Sequence, residues 1–174
     1  MDKRKKKLLD QEQLTNYAVR ALGGRAHSAG ELREKLSRRA ASNGDIDVVL
    51  AKLREFGYLN DQQFAENFAS ARLENQGFGK MRVLRELRQK RVAPELAAQV
   101  TEQTFQDTNE TDLIEAFLTR KYRGKQLGPF LAEEKNLASA FRRLRYAGFS
   151  SGVSIRVLKR YASRAEELEG MEEE

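Results

Sequence analysis

Apolar residues in this chain recur at intervals of three and four and show no sustained alternation with polar ones, the pattern of amphipathic helices. Ile46, Val49, Leu50, Leu53 and Phe56 form one such stripe. Leu137, Phe141 and Leu144 form a second, and Phe64, Phe68 and Ala71 a third. Each stripe needs a partner to bury it, so the pattern predicts an all-α protein of short helices.

The helix ends are marked. Ser28 with Glu31, and Asn60 with Gln63, are spaced as capping boxes, in which a side-chain oxygen accepts from an otherwise unpaired first-turn N–H. Pro94 and Pro129 suit the first turn, where a missing N–H costs little. Gly23-Gly24, Asn43-Gly44, Gly57, Gly77-Phe78-Gly79, Gly124 and Gly148 read as stops. These marks leave room for about nine helices.

The helices are repeated. EKLSRRAASNGDIDVVL, RELRQKRVAPELAAQV and RRLRYAGFSSGVSIRVL align so that Leu36, Leu87 and Leu144 correspond. With the same offsets, 51 and 57, Val49, Val100 and Val157 correspond. In each copy a Leu-centred basic helix turns into a helix carrying a Val. This predicts three tandem three-helix, helix-turn-helix-like repeats at residues 14–59, 60–106 and 107–165. A basic tail, 1–13, precedes them and an acidic tail, 166–174, follows. A lone unit has too small a core to stand by itself, so neighbours must share stability in an elongated, curved array. Such a surface suits binding a macromolecule better than enclosing a small substrate.

Composition narrows the chemistry. The 174 residues include no Cys, no Trp and one His; 33% are charged. Disulfides, thiol nucleophiles and Cys- or His-rich metal sites are excluded. Mean hydropathy is −0.70 and no apolar run approaches the roughly 20 residues of a membrane span. The opening MDKRKKKLLDQEQL lacks the apolar stretch of a secretory leader, so a cytoplasmic protein without membrane contact is expected. The formal net charge is +6, distributed unevenly. Residues 1–7 carry five bases and one acid, residues 166–174 carry six acids, and residues 136–165 hold seven bases and no acid. An acid-free basic stretch of that length fits a polyanion.

No catalytic constellation emerges, and the chain reads as a non-enzyme without cofactor or metal. His27, beside Ser28, has no nucleophile motif to serve and reads as a polar residue packed on a helix start. Asp45, Asp47 and Asp61 lack the alternate-ligand spacing of a calcium loop; capping explains Asp45 and Asp61. Gly77-Phe78-Gly79-Lys80 is too short for a phosphate-binding loop.

The candidate binding residues are basic. In the second repeat they are Lys80, Arg82, Arg85 and Arg88, the three arginines spaced by three and directed outward. In the third they are Arg142, Arg143, Arg145, Arg156, Lys159 and Arg160. Guanidinium groups suit phosphate and carboxylate alike. Tyr146, Phe149 and Tyr161 lie among these bases; stacking on unpaired bases is open to them, though Phe149 reads as core. A basic middle helix also fits a helix-turn-helix DNA-binding protein, which predicts one recognition helix and usually a dimer. Tandem repetition instead favours a partner that is itself repetitive.

Four segments, in order, resemble the RecX family, regulators of the RecA recombinase. They are Ala18 to Leu36; Gly57-Tyr58-Leu59-Asn60-Asp61 with Phe64 and Ala65; Ala71 to Val92; and Arg142 to Phe149. The resemblance covers about residues 14–163. One departure is Lys90-Arg91, where the family has a Lys-Gly turn, which predicts a differently shaped helix end there. A monomer is expected. The resemblance implies a protein that binds RecA, lies in the groove of the RecA–DNA filament and restrains recombinase, ATPase and co-protease activity in DNA repair and the SOS response. Single- and double-stranded DNA are further partners it implies. The alternative is a helix-turn-helix-like DNA-binding protein acting without RecA.

Overall fold

The structure is a computed structural model that describes residues 8–163 and 165. The expected tail 166–174 and residues 1–7 of the expected basic tail lie outside the described residues. Among the described residues there are ten helices: α1 (Gln11–Gly24), α2 (Ala29–Ser37), α3 (Asn43–Glu55), α4 (Asp61–Gln76), α5 (Lys80–Gln89), α6 (Pro94–Phe105), α7 (Glu110–Lys121), α8 (Leu127–Ala132), α9 (Glu134–Ala147) and α10 (Ser151–Lys159). The fold is all-α. An isolated parallel bridge between Leu9 and Ala40 is the one β feature among the described residues. None of these helices is long and apolar enough to cross a membrane.

Several elements differ from expectation for local reasons. The stretch from Leu127 to Ala147 holds two helices, α8 and α9, separated at Glu133, whose extended ψ of 123° breaks the run. Asn43-Gly44 opens α3 instead of stopping a helix, because the Ser42 hydroxyl accepts from the Gly44 N–H at 3.1 Å. α1 starts at Gln11, inside the segment 1–13 expected to be a tail, because Asp10 accepts from the Gln13 N–H at 2.9 Å. Both predicted capping boxes form their first bond, Ser28 with the Glu31 N–H and Asn60 with the Gln63 N–H, each at 3.0 Å.

The chain forms two compact units. One comprises Met1–Phe68 and Leu87–Val100; the other comprises Ala69–Glu86 and Thr101–Glu174. In the first, Leu14 and Ala18 of α1 pack with Leu32 and Leu36 of α2 and with Ile46, Val49, Leu50 and Leu53 of α3. These residues are at most 2% exposed, and each large side chain so buried contributes about 1.5–3 kcal/mol. Phe56 leaves its stripe: it caps α3 and is 69% exposed. In α4 the buried stripe is Ala65 and Ala69, not Phe64, Phe68 and Ala71. Small residues let the backbone pack closely, and the larger rings beside them stay partly exposed.

The first turn of α2 seats on the corner that follows α5. Ser28 Oγ donates to the Lys90 carbonyl, and Asp61 Oδ1 accepts from the Ala29 N–H at 2.7 Å. Asp61 therefore caps α2 rather than its own helix. A Cβ on Gly30 would overlap the Arg91 carbonyl and Cβ. The corner itself carries a Schellman pair of bonds, Arg91 N–H to Arg88 O at 2.9 Å and Val92 N–H to Leu87 O at 3.2 Å.

The second unit repeats this seat. Its core gathers Ile114, Leu118, Leu131, Leu137, Phe141, Leu144, Phe149, Ile155 and Leu158. Phe117 meets Phe149 edge-on at 5.6 Å and 73°. After α9, Gly148 donates to Arg145 O at 3.0 Å and Phe149 to Leu144 O at 3.1 Å. Gly79 N–H donates to Ala147 O at 2.8 Å and Met81 N–H to Gly148 O at 3.1 Å, placing the first turn of α5 on that corner. The departure at Arg91 therefore does not reshape the helix end: Arg91 takes φ 57° where Gly148 takes φ 93°. The residues aligned across repeats, Leu36, Leu87, Leu144, Val49, Val100 and Val157, are all at most 1% exposed.

Candidate polyanion-binding cleft

α9 has two faces. Leu137, Ala140, Phe141 and Leu144 are buried, so Ser139, Arg142, Arg143 and Tyr146, themselves spaced i, i+3, i+4, i+7, face outward. That outward face is one wall of a cleft of about 970 Å³ in the second unit. The end of α7 supplies Phe117, Arg120 and Lys121; the end of α4 supplies Asn75 and Gln76, the segment after it Phe78, and the start of α5 Arg82. Five bases line the cleft and no carboxylate does.

The bases are held differently. Arg82 is stacked: its guanidinium carbon lies 3.6 Å from the Phe78 ring centroid and 4.9 Å from that of Tyr146. Its Nε also donates to Glu86 Oε1 at 2.8 Å, and Glu86 Oε2 meets Arg72 Nε at 2.7 Å. Arg120 donates to the Gln76 carbonyl and passes within 3.4 Å of where a Cβ on Gly77 would stand. Gly77, at φ 58°, thus gives both the turn and the space. Lys121, Arg142 and Arg143 are exposed and make no ion pair among the described residues. Tyr146 is 69% exposed. The field of Arg143 also reaches Tyr122, whose hydroxyl burial pushes its pKa upward while Arg143 pulls it down.

Of the ten residues expected from the sequence, the structure brings Arg82, Arg142 and Arg143 into this cleft. Lys80 is paired with Glu102, and Arg160 with Glu115. Arg145 donates to the Phe149 carbonyl at 2.7 Å, bracing the end of α9. Arg85 is exposed and approaches the Tyr146 carbonyl at 3.4 Å. Arg88, Arg156 and Lys159 are exposed. Phe149 is fully buried, and Tyr161 packs partly against the same core. Sequence reasoning missed Arg120, Lys121, Phe78 and Phe117. Arg120 and Lys121 fall in the last turn of α7, where bases complement the helix dipole, so nothing in the sequence set them apart from ordinary end residues.

A second charged group lies in the first unit. Glu31 accepts from Arg25 Nη1 and from Lys90 Nζ, each at 3.1 Å. Burial raises the Glu31 pKa, but these two cations outweigh it and hold it below the usual carboxylate value. His27, 5% exposed, has its Nδ1 3.7 Å from Glu31 Oε2. Burial, then Arg25, Lys35 and Lys90, hold His27 below its ordinary pKa despite Glu31. Of these contacts, the Lys90–Glu31 pair ties α2 to the corner after α5.

Tandem three-helix segments, without a β-strand among the described residues, define an all-helical repeat protein. Residues 15–53 match the family model described as "RecX, first three-helix domain", and residues 60–100 match "RecX, second three-helix domain". The chain is 31% identical over 134 residues to the "Regulatory protein RecX" of Trichlorobacter lovleyi, an alignment spanning 77% of this chain and 86% of that one. It is 32% identical over 143 residues to the protein of the same name from Deinococcus radiodurans, spanning 82% of this chain and 65% of that one. The chain belongs to the RecX family of regulatory proteins. Its fold is similar to the crystal structure of RecX from Lactobacillus salivarius, with a TM-score of 0.63 at 16% identity over 87% of this chain and 96% of that one. A second crystal structure, of a regulatory protein RecX, gives a TM-score of 0.64 at 18% identity over 84% of this chain and 70% of that one.

Proposed function

We propose that this protein binds RecA and the groove of the RecA–DNA filament and restrains recombinase, ATPase and co-protease activity in the cytoplasm, within DNA repair and the SOS response. The observation that carries the reading is the cleft: three cations without an ion pair among the described residues, and an exposed Tyr146, in a carboxylate-free lining, in a chain of the RecX family. The repeats at 14–59, 60–106 and 107–165 each add a weak contact to successive protomers. Linking weak contacts raises overall affinity without any single strong site. Arg142 and Arg143 meet phosphate or carboxylate groups of the filament, with Arg88, Arg156 and Lys159 as peripheral contacts. An occupied groove obstructs incoming duplex and disturbs protomer addition.

The test is RecA strand exchange and DNA-dependent ATP hydrolysis with sub-stoichiometric protein. Inhibition is expected, weakened by Arg142→Glu with Arg143→Glu while helicity is unchanged. Absence of any effect on RecA refutes the reading. Equal affinity for naked DNA and for RecA-coated DNA supports the rival, a DNA-binding protein acting alone. Its salt dependence, about 0.9 log unit per log salt for each phosphate contact on duplex DNA, then counts the contacts.

A further inference from the structure

We propose that the basic cleft of the second unit binds a free nucleoside triphosphate. The inference rests on the reading of the cleft as a polyanion contact and adds a small ligand that occupies the same cations. The first observation is size. The cleft measures about 970 Å³, within the range of about 300–1,000 Å³ that small-molecule sites take up. The second is convergence. Exposed bases without an ion pair among the described residues also occur elsewhere, at Arg20, Arg54, Arg88, Arg123 and Arg156. In the cleft, five bases from three helices, α5, α7 and α9, share one recess with no carboxylate in its lining. A strand brings one phosphate charge about every 3.4 Å of its length, whereas a triphosphate brings three linked phosphates to one place. Five bases around one recess match the triphosphate better.

The third observation is the aromatic surface among these bases. Tyr146 is 69% exposed. The Arg82 guanidinium carbon stands 4.9 Å from its ring centroid and 3.6 Å from that of Phe78, so two rings and a guanidinium are gathered at one place. A nucleobase stacks on such a surface through its face, whatever its edge carries. Arg142 and Arg143 precede Tyr146 by four and three residues on the outward side of α9. Positions so spaced are neighbours on a helix, with Cβ atoms about 5–6 Å apart. A nucleotide bridges that spacing from base to phosphate. Guanidinium forks suit the phosphate oxygens. Asn75 and Ser139 add a carboxamide and a hydroxyl to the lining, groups able to hydrogen-bond a ribose or a base edge. Cations alone take any polyanion and a ring alone takes any flat apolar group; the two side by side select a nucleotide.

Three titrations of the full chain, each without RecA, decide the matter. In the first, calorimetry at low salt and without magnesium compares ATP with inorganic tripolyphosphate. ATP is expected to bind about tenfold tighter, the size of one base stacked on an aromatic ring. Tyr146→Ala should abolish that advantage and leave tripolyphosphate affinity little changed, whereas Arg142→Gln with Arg143→Gln should weaken both ligands. Equal affinity of the wild type for the two, or an advantage that survives Tyr146→Ala, overturns the proposal. In the second, NMR of the wild type follows the Tyr146 ring. A saturable upfield shift with ATP is expected, and no shift overturns the proposal. The third uses labelled oligothymidylate to test the other source of the same chemistry, a nucleotide within a strand. Millimolar ATP should displace it; a strand held through Arg142 and Arg143 that resists displacement overturns the proposal. ATP binding without any effect on RecA retires the proposed function alone, and RecA inhibition without ATP binding retires this inference alone.

Discussion

Gly79 passes so close to Gly148 that a Cβ on Gly79 would stand 2.6 Å from the Phe149 nitrogen and overlap the Gly148 carbonyl. The two residues are held by the Gly79 N–H bond to Ala147 O and the Met81 N–H bond to Gly148 O. Gly79→Ala must therefore push the two backbones apart, and overpacking of this kind costs about 1–3 kcal/mol. Urea unfolding should show stability fall by that amount. Gly152→Ala is the control: Gly152 lies in α10 with nothing within 4 Å of its Cβ position, and Ala should add up to about 1 kcal/mol of helix stability.

Arg91 holds a left-handed φ of 57° at the corner where the equivalent Gly148 stands at 93°. A side chain in that conformation costs about 1–2 kcal/mol. Arg91→Gly removes that cost and gives up an exposed ion pair with Glu34. A net rise in thermal midpoint is expected, with the Glu34 carboxyl pKa rising back toward its ordinary value as its largest stabilising contact, the Arg91 hydrogen bond, is lost. Calorimetry checks the first effect and carboxyl titration by NMR the second.

Arg82 is charged and also stacked between Phe78 and Tyr146. Arg82→Lys keeps the charge and loses the planar stack, a change of about 0.5–2 kcal/mol at a half-buried site. Thermal stability should fall while filament affinity changes little. A large loss of affinity with unchanged stability would make Arg82 a direct contact instead.

The His27–Glu31 group sets a pH response. His27 is held below 6.5, so between its folded pKa and 6.5 the unfolded chain binds more protons than the folded one. Stability is fully present above 6.5 and falls on acidification through that window. Glu31 is held below 4.5; its contribution is present above 4.5 and is lost as pH falls through its lower folded value. Denaturation followed against pH should show both declines, the upper one absent in His27→Gln.

Much of the architecture was legible because its causes are local. Capping at Ser28 and Asn60 and the stripe Ile46, Val49, Leu50, Leu53 follow from contacts three and four residues apart, which the order of residues states directly. The two offsets that align Leu36, Leu87 and Leu144 with Val49, Val100 and Val157 mark six core positions, since each repeat must bury the same points to close. Tertiary packing decided the rest. It left Phe56 and Tyr146 exposed, gave Asp61 to α2, tied Arg145 to the Phe149 carbonyl, and brought Arg120 and Lys121 beside Arg142 and Arg143. A periodic pattern says which side of a helix is apolar. It does not say which other helix end, dozens of residues away, will stand opposite the polar side, and the cleft is made of such meetings.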